Sequence, residues 1–203
     1  MTASSHASAL AAALPVLPTP DGTAEDGLIE AARGGCSQSF RTLLERHQQR
    51  VYHFCFHHLR DAFDAREACQ DTFIRAHGAL RRYRRRAQFV TWLFQIALNL
   101  CRDRLRARPA ARGRLIVPLD DFEPRCQRAT PDEASMRDTD LIKLERGLDS
   151  LPEKLREVLI LSCLEGLSHG ECAVILKCSE RAIEGRLYRA RQQLTAWWER
   201  EES

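Results

Sequence analysis

Residues Ser168 to Leu194 read SHGECAVILKCSERAIEGRLYRARQQL, two helical patterns joined by a tight turn, the second longer and more basic. Ser168 followed by Glu171 is a capping box: the serine oxygen accepts a first-turn N–H and the glutamate reaches back. The first helix is expected to end near Leu176. Lys177 and Cys178 then make the turn, and Ser179 can cap the second helix. In that helix Ile183, Leu187, Ala190 and Leu194 recur at helical spacing and form one buried stripe. At about 100° per residue, the opposite face carries Arg181, Gly185, Tyr188, Arg189 and Gln192, flanked by Glu184 and Arg186. A short helix bracing a longer one that turns arginines and a tyrosine outward is the helix-turn-helix arrangement for reading duplex DNA. An amphipathic helix with a merely solvated charged face shows the same pattern, so this stretch leaves both readings open.

Upstream, Pro152 suits the first turn of a helix bearing Leu155, Val158, Leu159, Ser162 and Cys163 on one side and stopping near Gly166. A further helical pattern runs from Asp138 to Leu148. Between Pro109 and Arg137 every periodicity breaks at Pro109, Pro118, Pro124 and Pro131, so the stretch reads as a linker. The expected organisation is a disordered tail over 1–24, a first domain over 25–107, a flexible linker over 108–139 and a second domain over 140–198. The fold class is all-α: two small helical domains joined by a flexible linker, the C-terminal one a helix-turn-helix.

In the first domain a short helix from about Ala24 to Arg33 stops at Gly34 and Gly35. A long helix over Ser37–Leu59 keeps Phe40, Leu43, Leu44, His47, Val51, Phe54, Cys55 and Leu59 on one face. Asp61 to Phe63 read as a turn, and Asp64 with Glu67 as a capping box opening a helix to about Leu80. Its inner face is Ala65, Ala68, Cys69, Thr72, Phe73, Ala76 and Leu80. Arg66, Gln70, Asp71 and Arg75 lie off that stripe, either solvated or available for docking. Arg81 to Gln88 is basic and contains Tyr83. A helix from about Phe89 to Arg106 then packs through Phe89, Leu93, Ile96, Ala97 and Leu100. Arginines that neutralise phosphates beside rings that stack on unpaired bases suit single-stranded nucleic acid. The simpler alternative is a solvated arginine run.

The net charge of +3 says little about partners, because it averages a basic belt against acids that prevail between Asp120 and Asp149. Eight cysteines occur without a CxxC pair or a signal peptide, and most fall on or beside apolar stripes. They read as small core residues in a reducing cytosol. No apolar run approaches the roughly 18 residues of a membrane span, so direct membrane insertion is not expected. His53 and His57 have metal-compatible spacing but lack an HExxH pattern or a carboxylate set, so packing or surface roles are preferred and no metal is expected.

The runs DAREACQDTFIRAHGAL (Asp64–Leu80), FVTWLFQIALNLCRDRLR (Phe89–Arg106), LPEKLREVLILSCLEGLSHGECAVIL and AIEGRLYRAR together resemble the extracytoplasmic-function sigma factors. These are small bacterial promoter-recognition subunits of RNA polymerase. The resemblance covers about residues 25–106 and 140–198. It implies a core-polymerase docking helix that meets the clamp coiled coil of β′, with Asp64, Gln70, Asp71, Phe73 and Arg75 at its motif positions. It implies that the loop from Tyr83 through Arg84, Arg85 and Arg86 to Gln88 captures a flipped base of the minus-ten element. Asn99 would line that pocket and Arg102 would lie beside the backbone. Arg181, Glu184, Gly185, Arg186, Tyr188 and Arg189 would meet the minus-thirty-five element. The implied partners are core RNA polymerase, through its β′ clamp and β subunits, promoter DNA and an anti-sigma factor. No cofactor and no catalytic residue is implied, and the location would be cytoplasmic. Two departures bear on promoter sequence: the arginine-rich loop, and Glu184-Gly185 where an Arg or Lys followed by Ser is common in the family. Glu184 can accept from a cytosine amino group, and Gly185 admits close approach of the backbone.

Two readings from other classes compete. A free-standing helix-turn-helix regulator accounts for the C-terminal domain but not for the Arg81–Arg106 belt. A thiol enzyme or metal sensor built on Cys163, Cys172, Cys178 and His169 matches no standard zinc spacing, and a nucleophile would need an oriented histidine base.

Overall fold

The computed structural model describes residues 22–85, 87–108, 143 and 146–201, and every regular element among them is helical. The expected tail up to residue 21 and the expected linker from Pro109 onward lie outside the described residues. The chain divides into two compact units.

The first unit contains α1 (Gly22–Arg33), α2 (Ser37–Leu59), α3 (Ala62–Ala79), a 3-10 turn (Leu80–Arg82) and α4 (Phe89–Ala107). The long helix α2 is its spine, packed against α1, α3 and α4. Leu43, Val51, Phe54, Cys55 and Leu59 are buried along it, facing Ala65, Ala68 and Ala76 of α3 and Leu93, Phe94 and Ala97 of α4. The alanines let α3 approach closely. The aromatics fill the space beyond, with Phe54 and Phe94 stacked at 4.7 Å. Burying each such large side chain stabilises the fold by roughly 1.5–3 kcal/mol. The helix α1 is pinned by Ile29 and by a buried contact of 2.6 Å between His47 Nε2 and Glu25 Oε1.

Three details differ from the sequence expectation. The helix α1 begins at Gly22, inside the segment expected to be disordered. The helix α3 begins at Ala62, because the Asp61 carboxylate accepts from the Asp64 N–H at 2.9 Å and is itself the cap. Asp64 therefore sits inside the first turn, and the Asp64/Glu67 capping box does not form. Arg60 makes the sharp link to α3 in a left-handed conformation, φ 55°, with its guanidinium over the Phe56 ring.

The second unit contains helical residues 146–150, α5 (Glu153–Leu159) continuing into a π-helical turn (Ile160–Leu164), and α7 (Glu180–Glu201), which follows α6 (His169–Leu176) in the chain. Buried Leu155, Val158 and Leu159 pack α5 against α7. The π turn closes with the Glu165 N–H donating to Ile160 C=O at 2.9 Å. Its extra residue rephases the helix, so Ile160 and Leu161 are buried, while Ser162 and Cys163, expected on the inner side, are only half-buried. Gly147 marks a close approach: a Cβ there would lie 2.6 Å from Leu194 Cδ1 and 3.1 Å from the Trp197 ring.

Candidate nucleic-acid interface

The helix-turn-helix forms as its local chemistry requires. Ser168 N–H and Oγ both donate to the Glu171 carboxylate, at 2.9 and 2.7 Å, and Glu171 N–H returns a bond to Ser168 Oγ at 3.3 Å. Lys177 turns the chain at φ 52°, and Ser179 Oγ accepts from Ala182 N–H at 3.3 Å to open α7. Ile183, Leu187 and Ala190 are buried. Arg181, Glu184, Gly185, Tyr188 and Arg189 are exposed, Tyr188 at 65%, and Arg186 is half-buried. Two bonds organise the outward face. Arg189 Nε donates to Gly185 C=O at 3.1 Å, and Gln192 Nε2 donates to Tyr188 Oη at 2.8 Å. Nothing lies within 4 Å of a Cβ built on Gly185, so its bare backbone faces open space.

The loop before α4 departs from expectation at its aromatic residue. Tyr83 is only 6% exposed. Its hydroxyl donates to Ala87 C=O at 2.8 Å, and its ring packs against Phe89 at 5.6 Å and Trp92 at 4.9 Å. Burial, then the nearby Glu25, pushes the phenol pKa up. Tyr83 therefore closes the loop from inside, and its ring is not presented for stacking on a base. Arg84 and Gln88 are exposed, and so is Asn99 on α4. Arg102 is half-buried. Arg85 is turned to α1, with Nη1 3.0 Å from Asp26 Oδ2. Arg86 lies outside the described residues.

The expected docking residues separate into two groups. Gln70 and Arg75 are exposed. Phe73 is not: at 5% exposure it belongs to the core, on the same inner face as Ala76. Asp64 and Asp71 are tied to α4. Arg104 Nη1 meets Glu67 Oε2 at 2.8 Å, its Nη2 meets Asp71 Oδ2 at 2.7 Å, and Arg108 clasps Asp64. Burial opposes the Arg104 charge, but its bonds to Glu67 and Asp71 outweigh that and raise its pKa. Sequence reasoning missed Phe63 and Ile74, exposed at 67% and 64%. They stand eleven residues apart on one face of α3, with Gln70 between them. That interval, off the inner stripe, was the available signal.

The thiols have core environments. Cys55, Cys69, Cys101 and Cys172 are buried. Burial pushes Cys69 and Cys172 up to about 12, which holds them as thiols. No group of three potential metal ligands converges among the described residues, and no described helix is long and apolar enough to cross a membrane.

A Sigma-70 region 2 profile matches residues 43–110, and a Sigma-70, region 4 profile matches residues 141–194. The chain is 30% identical over 173 residues to the ECF RNA polymerase sigma-E factor of Escherichia coli K12, spanning 82% of this chain and 90% of that protein. It is 29% identical, with the same coverage, to the RNA polymerase sigma-H factor of Pseudomonas aeruginosa. Among solved structures, CnrH in complex with the cytosolic domain of CnrY superposes with a TM-score of 0.65 at 30% identity, covering 85% of this chain and 95% of that one. The sigma factor RpoE from Bartonella quintana, in complex with the anti-sigma factor NepR, shares the fold with a TM-score of 0.61 at 22% identity, covering 80% of this chain and 98% of its own.

Proposed function

The chain belongs to the extracytoplasmic-function family of sigma factors, the promoter-recognition subunits of bacterial RNA polymerase, and from that membership we propose which of its surfaces performs each step. The observation that carries the reading is the division of α7 into a buried Ile183–Leu187–Ala190 stripe and an exposed Tyr188–Arg189 face with Glu184 and Gly185. A helix held by one stripe can enter the major groove of the minus-thirty-five element with the other. Glu184 and Arg189 are the base-edge candidates, Gly185 allows close approach, and Arg181 and Arg186 meet phosphates.

The loop between the 3-10 turn and α4 captures an unpaired base of the minus-ten element. Extruding a base costs a few kcal/mol, and Arg84, Gln88 and Asn99 offset it by contacting the displaced strand. Tyr83 supports this loop rather than stacking on the base. Docking to core polymerase uses the outer face of α3, where Gln70 and Arg75 stand with the exposed Phe63 and Ile74. Asp64, Asp71 and Phe73 contribute by holding that face in place. The chain needs no catalytic group, because polymerisation belongs to core polymerase, and it acts in the cytoplasm. Both solved relatives were captured with a second protein bound, which supports an anti-sigma partner here as well.

The test is footprinting with reconstituted holoenzyme. Arg189→Ala is expected to lose roughly 1–3 kcal/mol of upstream binding and to retain opening on a pre-melted template. Arg84→Ala/Gln88→Ala is expected to retain upstream DNase protection and to lose permanganate reactivity of unpaired thymines. Normal opening by the loop variant would overturn the assignment.

A further inference from the structure

Arg85 lies in the middle of the basic loop, yet its guanidinium points at α1 rather than outward. Its Nη1 is 3.0 Å from Asp26 Oδ2. Its Nη2 donates to Asp26 C=O at 3.2 Å and lies 3.5 Å from Glu30 Oε1. Three contacts to one helix, one of them to backbone, fix the direction of the side chain as well as neutralising it. The helix α1 is a firm support for them. The buried Glu25–His47 contact and the buried Ile29 hold it to the spine helix α2 independently of Arg85. Among the described residues, the loop is also held through Tyr83, whose N–H donates to Leu80 C=O, whose hydroxyl donates to Ala87 C=O and whose ring packs with Phe89 and Trp92.

We propose that α1 is a positioning element for strand capture, in which Asp26 and Glu30 hold Arg85 and thereby present Arg84 and Gln88 to the unpaired strand. The inference rests on the reading of this loop as the minus-ten contact. Asp26 and Glu30 are positioning residues, and Arg85 acts through them on its neighbours. A masking role for α1 fits less well. A helix that shielded the loop from DNA would cover Arg84 and Gln88, and both are exposed. The ties to Arg85 are themselves half-exposed, so they add little to global stability. Their effect is local: they limit the conformations the loop must give up when it closes on a base, which is the gain preorganisation provides.

Open-complex formation by reconstituted holoenzyme, read as permanganate reactivity with upstream DNase protection as control, tests this. Asp26→Asn/Glu30→Gln is expected to lower opening roughly three- to tenfold, the scale of two half-exposed ion pairs, with upstream protection and melting temperature unchanged. Arg85→Ala is expected to lower it similarly, and all three changes together are expected to lower it no further. A reversed tie, Asp26→Arg/Glu30→Gln/Arg85→Asp, is expected to recover opening relative to Arg85→Asp alone. A phosphate-binding arginine could not be replaced in that way. Normal or increased opening by Asp26→Asn/Glu30→Gln, additive losses, or no recovery by the reversed tie would each overturn the proposal. If Arg84→Ala/Gln88→Ala also opened normally, the loop assignment itself would fall. If that variant failed to open, only the role of α1 would fall.

Discussion

At Tyr83 the phenol oxygen donates to the Ala87 carbonyl while the ring lies against Phe89 and Trp92. Removing the hydroxyl and removing the ring should therefore differ. Tyr83→Phe is expected to lose about 0.5–1.5 kcal/mol, one hydrogen bond. Tyr83→Ala is expected to lose about 3–5 kcal/mol, because it leaves a cavity between the two rings. Thermal denaturation of the free protein reads both. If Tyr83 were instead a base-stacking side chain, the alanine variant would melt normally and fail only in promoter opening. A basic run with one tyrosine in it announces contact with nucleic acid. Whether the ring points in or out depends on Phe89 and Trp92, which belong to the next helix.

Helix α3 shows what a periodicity reveals and what it hides. Its inner face, Ala65 through Ala76, could be read from spacing alone and is buried as expected. The partners of its outer carboxylates could not, because Arg104 and Arg108 lie 33 to 44 residues away and meet Asp71 and Asp64 only once α4 packs alongside. On the proposed reading, the family motif positions divide into residues that face outward and residues that hold the helix in place. The cap at Asp61 was missed for a related reason. Asp61 and Asp64 are both plausible caps, and the choice falls to the left-handed turn at Arg60. Separate variants distinguish the two kinds of α3 residue. Asp71→Arg places a second cation beside Arg104 and is expected to lower stability by roughly 1 kcal/mol, with any loss of polymerase binding following from that. Ile74→Asp opens no cavity and is expected to melt normally while weakening core-polymerase capture in a pull-down. Unimpaired capture by Ile74→Asp would remove the outer face of α3 from the docking surface.

Each of the two units closes its own core, around α2 in one case and between α5 and α7 in the other. Calorimetry of the free protein is expected to resolve two transitions rather than one. Acid should act on the first unit through His57, whose Nδ1 is enclosed without a hydrogen-bond partner. Burial, and then the charge of Arg60, pushes its pKa down to about 3 from an ordinary 6.5. Between those values the unfolded chain binds the extra proton. Stability is therefore complete above pH 6.5 and falls toward pH 3, by up to about 1.4 kcal/mol per pH unit. In His57→Phe the transition of the first unit is expected to shift less between pH 7 and pH 5 than in the parent protein, and an equal shift would exclude His57 as the cause. The buried stripe of α7 has a consequence beyond stability. Because Ile183, Leu187 and Ala190 anchor the helix while Glu184, Gly185 and Arg189 are exposed, the proposed reading makes those three positions an exchangeable alphabet. On that reading, changing those letters would alter which genes the protein switches on while leaving intact the stripe that keeps the helix folded.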